Sequence, residues 1–246
     1  MTGCTWVSLP DGEIRSGATD DPPVGQDTIV ESRPVIRAVL WDFGGVILSS
    51  PFEAFARYER GCGLPADFLR GVNATNPDAN AWARLERAEL THAGFDTAFA
   101  AESRALGHEV PGADVLALLA GDVRPEMVRA LDRVIAAGLH TACLTNNVVS
   151  PDETAGGADV RPEVAAVMAR FDVVVESSKI GVRKPEPKFY RTACELLGVT
   201  PAECVFLDDL GINLKPARAM GMTTIKVDDS AAAIAALATV LELDLS

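Results

Sequence analysis

Four widely separated stretches of this chain carry side chains with complementary chemistry. Asp42 closes the apolar run Val39-Leu40-Trp41 and is followed by Phe43-Gly44-Gly45-Val46. Thr145-Asn146-Asn147 follows Ala142-Cys143-Leu144. A basic loop runs Lys179-Ile180-Gly181-Val182-Arg183-Lys184-Pro185-Glu186-Pro187, and Asp208-Asp209 follows Val205-Phe206-Leu207. Together they fit phosphoryl transfer through an aspartyl-phosphate. An oxygen nucleophile that approaches a phosphate dianion needs its own negative charge screened. A hard cation held by carboxylates such as Asp42 and Asp209 would do this, with water and the substrate phosphate as its other ligands. Lys184 would screen charge developing on the phosphoryl oxygens. The Thr145 hydroxyl and the Asn146 amide would hold those oxygens in line for attack.

Each stretch alone also has a purely structural reading. Thr145 and Asn146 could cap a turn, Lys184 could be one solvated charge among many, and Asp208-Asp209 could be a helix N-cap with a first-turn carboxylate. Against the second of these, residues 179–191 hold five basic residues and only one acidic one, Glu186, in an otherwise acidic chain.

The elements that must position these side chains are strands. Val35 to Trp41 is almost continuously apolar and partly β-branched, as a strand buried on both faces should be. Leu139 to Leu144, Phe171 to Val175, Cys204 to Leu207 and Thr223 to Val227 have the same character. Helical segments alternate with them. Glu126 to Ala137 begins after Pro125 and ends at Gly138, Glu186 to Leu197 stops at Gly198, Lys215 to Met220 continues a helix that stops at Gly221, and an Ala-rich helix runs from Ser230 to Leu241. This alternation implies an α/β fold with a doubly wound parallel sheet. In such a sheet all the carboxyl ends share one edge, so strand-end residues converge however far apart they lie in sequence.

Between the first strand and this alternating region, residues 51–119 change character. Phe52, Phe55 and Tyr58 recur at helical spacing, as do Trp82 and Leu85, then Phe95, Phe99 and Leu106. Loop signals separate them, which implies a helical insertion. Residues 1–33, rich in Gly, Pro, Asp, Ser and Thr without apolar period, are expected to form a flexible arm. The polar segment 148–162 is either a loop beside the site or a disordered surface insertion. There is no internal repeat.

Composition narrows the partners. Lys and Arg number 22 against 35 Asp and Glu, a net charge of −13. Such a surface repels a phosphate backbone, so nucleic acid is not an expected partner. No apolar stretch reaches the length of a membrane span. Five cysteines, odd in number and without a CxxC pair, argue against a disulfide framework and against a zinc site. The expectation is a cytoplasmic protein acting on a small molecule, with its oligomeric state left open.

The four motifs resemble those of the haloacid dehalogenase (HAD) superfamily. They stand here as Trp41-Asp42-Phe43-Gly44-Gly45-Val46, Leu144-Thr145-Asn146, Arg183-Lys184-Pro185-Glu186-Pro187 and Phe206-Leu207-Asp208-Asp209. The stretch from Phe206 to Val227 is similar to the branch containing the N-terminal phosphatase domain of soluble epoxide hydrolases. The resemblance, over about residues 35–230, implies a Rossmann-like core made of 34–50 and 120–246 with a helical cap inserted at 51–119. It further implies that Asp42 is the nucleophile and a Mg2+ ligand, with Asp209 and the Gly44 main-chain carbonyl as further ligands. Asp208 would support the site, Thr145, Asn146 and Lys184 would bind the phosphate of a small phosphorylated substrate, and Asn213 would steady the acidic loop.

One departure bears on activity. Most phosphatases of this superfamily have a second Asp two residues after the nucleophile, as general acid and base, and that position here is Gly44. Such assistance is worth about 10²–10⁴ in rate. His92, His108 or a cap carboxylate could supply it instead. Some relatives carry the same Asp-x-Gly arrangement. A magnesium-dependent phosphatase is therefore the leading expectation. A catalytically weak or silent phosphate-ligand binder is the alternative, and a metal-independent 2-haloacid dehalogenase ranks below both, because an acidic pair beside the nucleophile calls for a cation.

Overall fold

The structure is a computed structural model that describes residues 35–147 and 161–245. The expected arm at 1–33 lies outside the described residues, as does all of the segment 148–162 but its last two residues.

Among the described residues five parallel strands form one sheet, in the order β3-β2-β1-β4-β5. These are β1 (Ala38–Asp42), β2 (His140–Thr145), β3 (Val173–Glu176), β4 (Cys204–Asp208) and β5 (Thr223–Lys226). In β1 the alternation of side chains feeds both faces. Val39 and Trp41 join one buried cluster with Met127, Leu131, Ile225 and Leu237. Ala38 and Leu40 join the other, with Phe189, Tyr190 and Phe206. A strand buried on both sides has no solvent face to mark with polar residues, which is why its sequence reads as an unbroken apolar run.

Helices cover both faces. α6 (Pro125–Ala136), α7 (Pro162–Met168) and α11 (Ser230–Leu241) contribute to the first cluster, and α9 (Pro187–Leu197) and α10 (Gly211–Ala219) to the second. A short α8 (Ser177–Ile180) follows β3 directly. The element edges differ from expectation in places. Residues 35–37 are not strand, since β1 pairs only from Ala38 onward. β3 begins at Val173 rather than at Phe171. Helix α10, read from the sequence as continuing through Lys215 to Met220, starts at Gly211, where Leu210 N–H donates to Asp208 Oδ1 and Asn213 N–H to the Leu210 carbonyl.

Between β1 and α6 lie α1 (Phe52–Cys62), α2 (Phe68–Ala74), α3 (Ala81–Glu86), α4 (His92–Ala105) and α5 (Gly112–Ala117). They bury a core of their own around Phe55, Leu69, Leu85, Phe95 and Phe99. Local signals set their ends: Asn80 accepts from Ala83 N–H at the start of α3 and Thr91 from Gly94 N–H at the start of α4, each satisfying a donor that the first helical turn leaves open. No helix among the described residues is long and apolar enough to cross a membrane.

Candidate active site

Strand β1 lies between β2 and β4, so the crossovers leave it in opposite directions. The carboxyl edge beside it is thus the topological switch point, where a crevice opens in folds of this kind. Asp42 is the last residue of β1, Thr145 of β2 and Asp208 of β4, and the register sets Asp42 opposite Leu144. Lys184 reaches the same edge from the loop after α8.

Lys184 is the centre of the cluster. It is buried, with Nζ 2.7 Å from Asp42 Oδ1 and 2.9 Å from Asp208 Oδ2. Its backbone is clamped by Asn146: the Lys184 N–H donates to Asn146 Oδ1 at 2.8 Å, and Asn146 Nδ2 donates to the Lys184 carbonyl at 3.0 Å. Asp208 is fully buried and accepts from Asn213 Nδ2 at 3.1 Å on each oxygen and from Leu210 N–H at 2.8 Å. Asp42 Oδ1 also accepts from Phe43 N–H at 2.6 Å. Every buried charge of this cluster therefore has a partner.

Asp42, Asp208 and Asp209 bring ligand oxygens within 4.8 Å of one another. Burial holds the Asp42 carboxyl well above the usual range although Lys184 opposes the shift. Burial, reinforced by Asp208, pushes Asp209 up to about 6 against Lys184 and Arg124. Burial disfavours the Lys184 charge, but Asp208 and Asp42 outweigh it and hold the ammonium well above its ordinary value. Three carboxylates thus share one lysine, and that lysine does not suffice to hold Asp42 and Asp209 in their ordinary range. An all-oxygen, under-compensated cluster of this kind fits a hard divalent cation.

The two glycines that follow Phe43 differ. Gly45 has φ +86°, and a Cβ there would overlap the Asp209 carboxyl group, 2.9 Å from Oδ1 and closer still to its other atoms. Only a residue without Cβ lets the acidic loop close on the loop after Asp42. Gly44 is exposed, and a Cβ there would meet nothing within 4 Å, so the position that lacks a side chain is open space.

Thr145, Asn146, Lys184, Asp208, Asp209 and Asn213 thus come to one edge with Asp42. His108 does not; it is exposed and packs edge-on against Phe68 in the helical insert. His92 opens α4. Two residues of the site were not expected from the sequence. Glu86, the last residue of α3, has Oε2 2.6 Å from Arg183 Nε and 3.4 Å from Asn146 Nδ2, and its Oε1 accepts from Trp82 Nε1 at 2.9 Å. Arg183 also donates to the Pro77 carbonyl at 2.9 Å. The one local signal for Glu86 is its i,i+4 spacing from Trp82.

This fold and site define a hydrolase class built on a strand-end carboxylate with a buried lysine and an acidic pair. Residues 36–221 match the family model described as haloacid dehalogenase-like hydrolase, and the chain belongs to that family. It is 33% identical over 215 residues to acyl-CoA dehydrogenase family member 10 of Mus musculus, a match covering 85% of this chain and 19% of that protein. It is 33% identical over 214 residues to bifunctional epoxide hydrolase 2 of the same organism, covering 81% of this chain and 38% of that protein. The chain thus spans well under half the length of these two relatives. A Mycobacterium tuberculosis protein named phosphatase MT3486 is 36% identical over 109 residues, covering 44% of this chain and 46% of that protein. Among solved structures, a dehalogenase with an intermediate complex superposes with TM-score 0.59 at 19% identity, covering 86% of this chain and 99% of the other. A HAD family enzyme of Bacteroides thetaiotaomicron in complex with magnesium and inorganic phosphate gives TM-score 0.51 at 19% identity, covering 78% and 93%. These two likenesses bear on the fold.

Proposed function

We propose that the protein is a magnesium-dependent phosphatase that forms an aspartyl-phosphate on Asp42 and acts on a small phosphorylated metabolite. The observation that carries this reading is the meeting of Asp42, Asp208 and Asp209 around one buried lysine, an acidic cluster with more negative charge than its own side chains neutralise. Asp42 and Asp209, with the Gly44 carbonyl, would hold Mg2+, which when bound supplies positive charge to the nucleophile and the phosphoryl oxygens. The name of the mycobacterial relative and the magnesium and phosphate bound by the Bacteroides enzyme support the same chemistry.

In this reading Asp42 attacks phosphorus while Lys184, fixed between Asp42 and Asp208, draws charge off the phosphoryl oxygens. Thr145 holds those oxygens, and Asn213 keeps Asp208 from turning toward them. The Asn146 side chain, expected to join Thr145, is instead spent on the Lys184 backbone and Glu86. Released phosphate from a panel of phosphate esters, measured with Mg2+ and with EDTA, tests this. Turnover that needs Mg2+ and vanishes in Asp42→Asn is expected. Full activity of Asp42→Asn, or none in the wild type across the panel, refutes it.

A silent phosphate-ligand binder is the second reading, favoured by the missing side chain at Gly44. It requires Mg2+-dependent thermal stabilisation by a phosphorylated ligand with no turnover.

A further inference from the structure

If the phosphatase reading holds, the chemistry still needs a proton for the leaving oxygen, and the position two residues after Asp42 offers none. The helical insert presents a carboxyl group at the same sheet edge. Glu86 ends α3 with its side chain 6% exposed and its Oε2 3.4 Å from the amide of Asn146. That amide is the one that clamps Lys184, and Lys184 in turn contacts Asp42. The carboxyl is also aimed. Trp82 Nε1 fixes Oε1, and Arg183 lies against Oε2 without directing its Nε–H along the contact.

We propose that Glu86 is the general acid and base of this enzyme, supplied by the helical insert in place of the side chain that Gly44 lacks. As an Asp42 oxygen bonds to phosphorus, the bond from phosphorus to the leaving oxygen breaks, its electron pair stays on that oxygen, and Glu86 gives it a proton. In the second half a water oxygen bonds to phosphorus and passes a proton to the Glu86 carboxylate. The bond from phosphorus to Asp42 then breaks and its electron pair returns to the Asp42 carboxylate. An ester and water become an alcohol and phosphate, and Glu86 regains its proton.

The surroundings suit the role. Burial pushes Glu86 up to about 7 against the opposing charges of Arg183, Lys184 and Arg87, so both of its forms are accessible near neutrality. An acid so placed serves substrates whose leaving oxygen is a poor leaving group, the alkyl phosphates, more than aryl phosphates that need no proton.

The test is a leaving-group series on the full chain with Mg2+: alkyl phosphates against p-nitrophenyl phosphate, for wild type, Glu86→Gln, and Glu86→Gln combined with Gly44→Asp. Glu86→Gln is expected to lose about 10²–10⁴ in kcat/KM on alkyl phosphates while keeping most of its kcat/KM, though not its kcat, on p-nitrophenyl phosphate, because the second half needs the Glu86 base whatever the leaving group. Gly44→Asp, entering open space, is expected to restore alkyl phosphate turnover in the Glu86→Gln background. Should Glu86→Gln fail to fold, Glu86→Asp, which keeps the carboxyl one methylene farther away, is expected to show the same selective loss. A loss of kcat/KM equal across the series, without rescue, overturns the assignment and leaves Glu86 as a strut between insert and sheet. A wild type inactive on both ester types refutes the phosphatase reading itself, an outcome that does not depend on any Glu86 variant.

Discussion

Replacing Lys184 with Met isolates the charge at the centre of the site. Met keeps most of the volume and the apolar stem, so little cavity is created, although the ammonium's place over the Phe206 ring, 5.8 Å from its centroid, is lost. What disappears is an ammonium 2.7 Å from Asp42 and 2.9 Å from Asp208, with side-chain exposures of 2%, 10% and 0% for the three partners. Breaking a buried ion pair by removing one partner costs about 3–5 kcal/mol, because the charge left behind is uncompensated. Here two carboxylates are left behind, with Asp209 beside them.

For a chain of this size each kcal/mol moves Tm by roughly 2–4 °C, so in EDTA the variant should melt roughly 6–20 °C below wild type. Two further signs follow from the same electrostatics. The gap should narrow at pH 5, where the orphaned carboxylates can neutralise by taking up protons, and widen at pH 8. Added Mg2+ should recover more Tm in Lys184→Met than in wild type, because the cation replaces the missing charge, while turnover stays lost because the phosphoryl group still lacks its lysine. Thermal melts at both pH values, with EDTA and with Mg2+, measure all of this. A variant that melts within about 2 °C of wild type in EDTA, well inside the range expected for a broken buried pair, refutes the claim that Lys184 holds the carboxylates together. An equal Mg2+ response in the two proteins refutes the claim that the cation takes over the charge of Lys184, and no response in either refutes the claim that the carboxylates hold a cation.

Gly45→Ala should abolish Mg2+-dependent activity, since its Cβ displaces the Asp209 carboxyl and its φ of +86° costs an L-residue roughly 1–2 kcal/mol; Gly44→Ala, facing open space, should leave Tm unchanged, and melts of the pair check the contrast. Asn213→Ala strips Asp208 of two hydrogen bonds inside the core and should cost about 1–3 kcal/mol in urea denaturation. Glu86 keeps its proton to about 7 in the folded chain against an ordinary 4.5. The folded state therefore binds more protons than the unfolded one in that window, and stability linked to Glu86 falls as pH rises from 4.5 to 7. Wild-type Tm minus Glu86→Gln Tm should decline across that window and level off above it; a difference that rises with pH would contradict the burial argument.

What could be read in the sequence, and what could not, divides along one physical line. β1, β2 and β4 announce themselves because strands covered on both faces must be apolar throughout, and their polar last residues stand out as Asp42, Thr145 and Asp208. Helix α6 is legible from Pro125 at its first turn and α9 from the Gly198 that ends it. Convergence of the strand ends then follows from topology alone. Partnerships within the cluster do not follow, because they depend on depth. Asp208 and Asp209 are adjacent and chemically identical, yet Asp208 is fully buried and takes Lys184 and Asn213, while Asp209 is only partly buried and is left to face the loop of Gly45.

Glu86 was illegible for a second reason. Its partners Asn146 and Arg183 sit on the sheet edge, on the far side of the insert's own sequence, and a helix-ending Glu beside Arg87 reads as an ordinary exposed charge. Burial of a carboxylate is costly unless something compensates it, and Glu86 is compensated by an arginine, an indole N–H and an amide drawn from both the insert and the sheet. Such an arrangement persists only while insert and sheet stay docked. The same contacts that aim the Glu86 carboxyl therefore tie its usefulness to the docking of α3 on Asn146 and Arg183.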